Sequence, residues 1–212
     1  MANLFSTILS EAVEKGVLSA KTDDARKWFR EKAQEIVVKN QPAVIRSTPI
    51  QTTKTYPGFL YMFSYIAKTQ NELPYYDRFP VVFPFRRTKE GFYGLNMHYI
   101  PLNYRAILMD NLYKLITDKN YNEKTRLRLT YNFLDSSSKY RFFRPCVKQY
   151  LNSHVRTRFA LVPANQWDIA LFLPLEKFVK SSGGMIPTQK VHRDSIIQIR
   201  KEIGRASCRE RV

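Results

Sequence analysis

Phe79-Pro-Val-Val-Phe-Pro-Phe85, Arg86-Arg-Thr-Lys-Glu-Gly91 and Phe92-Tyr-Gly-Leu-Asn-Met-His-Tyr99 follow one another without a break. The outer runs are aromatic and apolar, the first with Val81 and Val82; the middle one is short, polar and closes on glycine. That pattern predicts a β-hairpin. Pro80 and Pro84 share a parity along the first strand, and proline has no N–H to give to a ladder, so an edge position is expected. Upstream, Phe59-Leu-Tyr-Met-Phe-Ser-Tyr65 follows Pro57-Gly58 and reads as a strand. Downstream, Arg156-Thr-Arg-Phe-Ala-Leu-Val162 alternates like another.

Helical patterns lie on both sides of this β-rich centre. Residues 4–15 form a short helix ending at Gly16, a natural position for left-handed backbone. Thr22 caps a second helix, with Asp23 and Asp24 in its first turn and Ala25, Trp28, Phe29, Ala33, Ile36 and Val37 on its apolar side. Asn40-Gln-Pro42 stops it, and the stretch from Pro42 to Thr55 reads as a linker or extended arm. Pro101 opens a helix through Thr117, residues 123–134 form another, and Pro145 to Leu151 suggests a third. Residues 163–172 suit either a strand or one helical turn and a strand. A basic helix is expected at 189–201.

The order of elements argues for an α+β fold: a small antiparallel β-sheet or an SH3-like barrel, with packed helices and an N-terminal helical segment. The expected divisions are an N-terminal helical segment at 1–48, an α+β core at 49–178 and a flexible basic segment at 179–202. Residues 203–212, Ile203-Gly-Arg-Ala-Ser-Cys-Arg-Glu-Arg-Val212, resemble the translation of a common short-read sequencing adapter and are set apart as not native. With them go three arginines against one glutamate, so the basic excess survives.

That excess is large. The 212 residues hold 35 Lys and Arg against 18 acids, a net charge of +17. A small domain needs only about +2 to +8 for solubility, so a polyanionic partner is implied: nucleic acid first, an anionic membrane or acidic protein second. No apolar run approaches the ~18 residues of a membrane span, and the first residues lack a secretory pattern. Cys146 and Cys208 have no metal or redox spacing and suit a reducing cytoplasm.

Enzyme signatures are poor. The sequence has no Walker-type glycine loop and no G-x-S-x-G elbow. His98, His154 and His192 lack metal-ligand spacing, and His98 reads as a partly buried structural residue. A metal-dependent nuclease would use an acid, then a second acid and a lysine one residue apart. Asp77 and Glu90 are the candidates, but Glu90-Gly-Phe lacks the lysine. No catalytic or metal residue and no cofactor is therefore assigned.

The cations suggest a binding surface instead. Between Asp135 and Asp168 there is no acid, while Lys139, Arg141, Arg144, Lys148, Arg156 and Arg158 alternate with Tyr140, Phe142, Phe143, Tyr150 and Phe159. Cations neutralise phosphate, and aromatics either stack on exposed bases or fill the core. The hairpin turn adds Arg86, Arg87 and Lys89; Arg78, Arg105, Lys190, Arg193, Arg200 and Lys201 are weaker candidates. Nothing resembles a base-reading helix or finger, so binding should be independent of sequence.

Tyr56-Pro-Gly-Phe59, Leu73-Pro-Tyr-Tyr-Asp-Arg-Phe-Pro80 and Gly91-Phe-Tyr-Gly-Leu-Asn-Met-His-Tyr-Ile-Pro101 carry a resemblance. With Pro145-Cys-Val-Lys-Gln-Tyr-Leu151 and Gln166-Trp-Asp-Ile-Ala-Leu-Phe-Leu-Pro174, they resemble virion proteins of T-even-like tailed bacteriophages across roughly residues 56–178. Within that set the chain is most similar to the DNA end protector proteins of marine, cyanophage-type members. The resemblance implies a protein of the filled phage head, present in the host cytoplasm during assembly and infection. It would sit on the double-stranded DNA ends and block host exonuclease, with head or portal proteins as further partners and no membrane. Two alternatives remain at this stage: a structural head-completion or neck protein, and the nuclease.

Overall fold

A computed structural model describes residues 4–17 and 22–209, the side chains of residues 141 and 202–209 excepted. Helix α1 (Leu4–Glu14) buries Phe5, Ile8 and Ala12. It ends where Gly16, at φ +72°, lets the Val17 N–H return to Ala12 O at 2.8 Å. Helix α2 (Asp23–Glu35) begins at Thr22, whose hydroxyl accepts the Ala25 N–H at 3.2 Å.

The expected linker from Pro42 is instead helix α3 (Gln41–Ser47) followed by strand β1 (Ile50–Thr52). The same residues that stop α2 start α3. Asn40 accepts the Ala43 N–H at 3.1 Å, and Pro42 sits in the first turn, where its missing N–H costs nothing.

Then come β2 (Leu60–Met62), β3 (Tyr76–Asp77), β4 (Val81–Arg87) and β5 (Gly91–Asn96), with a 3₁₀ turn at Met97–Tyr99. Helices α4 (Leu102–Thr117) and α5 (Glu123–Ser137) lead through a 3₁₀ segment, Arg141–Cys146, into β6 (Val147–Leu151). A 3₁₀ turn at Asn152–His154 precedes β7 (Phe159–Val162); α6 (Trp167–Phe172), β8 (Phe178–Val179), β9 (Met185–Ile186) and α7 (Thr188–Arg209) complete the chain.

Among the described residues, the main sheet runs β1-β7-β2-β4-β5-β6 and a smaller one β3-β8-β9, every pair antiparallel. The fold is α+β. The SH3-like barrel does not form: β1 and β6 stand on opposite edges with four strands between them. The hairpin is β4–β5, but β4 is interior rather than an edge. Pro84 is tolerated because β2 overlaps only Val81 and Val82, and the β5 register shifts between Pro84 and Arg86. Val147–Leu151, expected as a helix, is the edge strand beside β5. Val147, Tyr150 and Leu151 fall at i, i+3 and i+4, a spacing that suits a helix, and five residues are too few for it to decide against a strand.

The two sheet faces bury different chemistry. One carries Leu60, Met62, Val81, Phe83, Leu95, Ala160 and Val162 into the main core, where helices α1, α2, α4 and α6 pack. The other carries Tyr61, Phe63, Tyr65, Phe92, Tyr150 and Phe159, in largely edge-to-face ring contacts such as Phe63–Phe159 at 5.1 Å. The stretch expected as a flexible basic segment contributes β9 and α7. Val191, Ser195 and Ile199 recur there at four-residue spacing and are buried, and the Ser195 hydroxyl donates to Tyr99 O at 2.6 Å. Cys146 is buried and unpaired, and burial pushes its thiol up to about 12.

Gly91 is required by close approach. A Cβ there would lie 1.9 Å from the Tyr150 carbonyl oxygen. Gly91→Ala must part β5 from β6, and an overpacking loss of about 1–3 kcal/mol is expected in urea unfolding.

Arg105 and Glu176 form a buried ion pair at 2.7 Å beneath α7. Burial opposes the charge of Glu176, yet His98 and Arg105 outweigh it and hold the carboxyl below its ordinary range. Burial, then Arg105, depress the neighbouring His192 imidazole, whose Nε2–H donates to His98 O at 3.1 Å. Both groups bind a proton more readily in the unfolded chain, so acid favours unfolding. The His192 contribution is complete above its ordinary value of 6.5 and is lost as pH falls through the lower folded value. Thermal midpoints should be level above neutrality, decline below pH 6.5, and lose that first decline in His192→Gln.

Candidate nucleic-acid interface

The hairpin turn and the end of α5 meet around one acid. Asp135, four-fifths buried, accepts Lys139 Nζ at 2.9 Å and lies 3.5 Å from an Arg86 guanidinium nitrogen. Both cations remain mostly exposed, at 59% and 68% of their side-chain surface. Two positive groups share one carboxylate, so net positive charge and unused donors face water. Exposed pairs of this kind contribute about 0–1 kcal/mol to stability.

Arg87 continues the surface. Its guanidinium lies 5.0 Å from the Tyr56 ring centre and donates to Thr55 O at 2.7 Å. Lys89 is exposed in the turn, which Thr88 ties by accepting the Gly91 N–H at 3.0 Å. Beside Tyr56 runs an open groove of about 550 Å³, lined by Tyr56, Pro57, Phe59, Leu127, Tyr131, Lys124 and Arg128, with no acid on its walls among the described residues. Gly58, at φ +88°, brings this loop against α5; a Cβ there would lie 2.8 Å from Leu127.

Lys124 and Arg128 are functional candidates that the sequence reading passed over. Cations and apolar residues mixed along a helix look like an ordinary solvated face. Their signal was spacing: Lys124 and Arg128 lie four apart on one side of α5.

The remaining sequence candidates are dispersed. Arg144 is exposed at the end of the 3₁₀ segment, while the Arg141 side chain lies outside the described residues. Arg156 and Arg158 are exposed ahead of β7, whose Ala160 pairs with Met62 and so stands level with Val81 at the start of β4. Arg86 and Arg87 occupy the other end of that strand. Lys148 is not on the outer strip. It is half-buried on the aromatic side of the sheet, its ammonium 4.0 Å from the Tyr99 ring centre. Arg105 is fully buried.

The family model described as the phage T4 terminal DNA protecting protein matches residues 1–195.

The chain belongs to that family.

The terminal DNA protecting family is thus a bacteriophage family of DNA end protection, and its match reaches well beyond residues 56–178 into α1–α3 and α7. Searches among curated proteins and among solved structures give no match.

Against that family background, Asp77 has a structural setting. Its Oδ1 accepts the Phe79 N–H at 3.1 Å, and its Oδ2 accepts from Asn96 at 3.0 Å and lies 2.7 Å from His98 Nδ1. His98 is entirely buried rather than partly so. Glu90 is exposed in the hairpin turn. Among the described residues no group of three or more His, Cys, Asp or Glu could hold a metal ion, and no helix is long and apolar enough to cross a membrane.

Proposed function

We propose that this member of the terminal DNA protecting family binds the ends of linear double-stranded DNA through phosphate contacts and shields them from exonuclease. The observation that carries it is the gathering of exposed cations from hairpin and α5 around Asp135 and Tyr56, in a chain of this family. The contacts are Arg86, Arg87, Lys89 and Lys139, with Lys124 and Arg128 from α5. Arg144, Arg156 and Arg158 extend the field more weakly.

Phosphate contacts carry no sequence information, which suits a protein that must hold whatever sequence packaging leaves at a terminus. Steric occlusion of the end stops an enzyme that threads it, and no turnover is needed. The place of action is the virion, on packaged DNA, with head or portal proteins as neighbours.

An exonuclease challenge tests the proposal. Linear duplex mixed with protein at about one copy per end should persist while protein-free duplex is degraded. A purely structural head protein would leave the digestion rate unchanged.

A further inference from the structure

The cavity of about 360 Å³ at the edge of β6 has no counterpart in the outer basic surface. Tyr65, Tyr99, Tyr150 and Asp77 form its buried floor, Tyr75 and Tyr76 its half-buried wall, and Lys68 and Gln149 stand exposed at its mouth. Lys148 enters from β6. Its ammonium rests on the Tyr99 ring, and among the described residues no carboxylate pairs with it. Among the described residues Asp77 is the one acid lining the cavity, and both of its oxygens are engaged by Phe79, Asn96 and His98. Burial lowers the proton affinity of the Lys148 amine, so an entering anion would relieve an uncompensated charge.

A cavity with an unpaired cation at one side and several tyrosine rings around it suits a ligand that is both anionic and flat. Its volume lies near the lower end of the about 300–1,000 Å³ usual for small ligands. That accommodates one nucleotide rather than a base pair. The cavity also adjoins the basic surface. Leu151, three residues along β6 from Lys148, pairs with Gly91 at the hairpin turn, and three strand residues span about 10 Å.

We propose that this cavity receives the terminal unpaired nucleotide of a DNA overhang, its phosphate on Lys148 and its base against the tyrosines. The proposal rests on the reading of the protein as a DNA-end binder and names the part of the end it grips.

The test compares the full chain on blunt duplexes and on duplexes with three-nucleotide 5′ or 3′ overhangs, by fluorescence anisotropy. One stacked base and one added phosphate contact should make an overhang of one polarity bind about tenfold tighter than the blunt end. In Lys148→Met the ratio should fall to about one, and Lys148→Arg should retain part of it. Wild-type protein titrated with dTMP and with thymidine, followed by NMR, should show saturable shifts for dTMP only. Equal binding of blunt and overhanging ends, or a preference kept by Lys148→Met, would overturn the cavity's role and leave end protection standing. Binding of free dTMP without any overhang preference would likewise overturn it, assigning the cavity to a free nucleotide. Failure to prefer any DNA end over closed circles would remove the end-binding reading itself, and this proposal with it.

Discussion

Replacing Arg86, Arg87, Lys89 and Lys139 together by glutamine is expected to lower DNA affinity about a thousandfold near physiological salt. The estimate follows from counterion release. Each phosphate neutralised contributes about 0.9 to the slope of log K against log salt, so four lost contacts flatten it by about 3.6. The protein should remain folded, because the four side chains are exposed and the pairs that Arg86 and Lys139 make with Asp135 are of the exposed kind that contributes little to stability. Anisotropy titrations over a range of salt give slope and affinity together. A variant that binds weakly but keeps the wild-type slope would have lost something other than phosphate contacts.

The largest stability loss is expected at Arg105, whose side chain is wholly enclosed. Its nitrogens donate to Ile100 O at 2.9 Å, Leu171 O at 2.8 Å and His98 O at 3.3 Å, and pair with Glu176 at 2.7 Å. One guanidinium thereby fastens the turn after β5, the end of α6 and the approach to β8. Arg105→Met leaves Glu176 buried without its cation and three carbonyls without that donor. Breaking such a pair from one side costs about 3–5 kcal/mol, or a thermal midpoint lower by roughly 10 °C for a chain of this length. Adding Glu176→Gln should restore part of the loss, since the stranded charge is then gone. A single variant within about 1 kcal/mol of the parent would show that the pair contributes little.

The hairpin was legible because its two halves carry an unambiguous strand composition around a polar turn. The cap at Thr22 was legible for an equally local reason, a hydroxyl one residue ahead of two acids and an apolar helical period. The interior place of β4 was not. It depends on how short β2 is, and on a bulge that accommodates Pro84. Asn40-Gln-Pro42 reads equally as a stop and as a start, and packing of Ile45 into the core, with the Asn40 cap, favours the start.

For the candidate site, the turn cations stood out because three of them crowd a segment that must project. The strip after Asp135 did not survive as one surface. Residues adjacent in sequence are distributed by β6 and β7 between an outer face, an aromatic cavity and the far end of the sheet. Lys148 shows the mechanism. In a strand, alternate side chains face opposite ways, so a basic run entering one divides between two environments. Arg105 was a surface candidate by residue type alone; its position on the inner side of α4 is a property of the packed helix.

The central claim is that positive charge on this surface grips DNA termini. Competition between a labelled linear duplex and unlabelled DNA of equal mass, either linear or closed circular, measures this directly. Linear competitor should displace the label far more effectively per unit mass as fragments shorten, while circles should compete only through weak, strongly salt-sensitive binding. Equal displacement by circles and by short linear fragments at every salt concentration would contradict it.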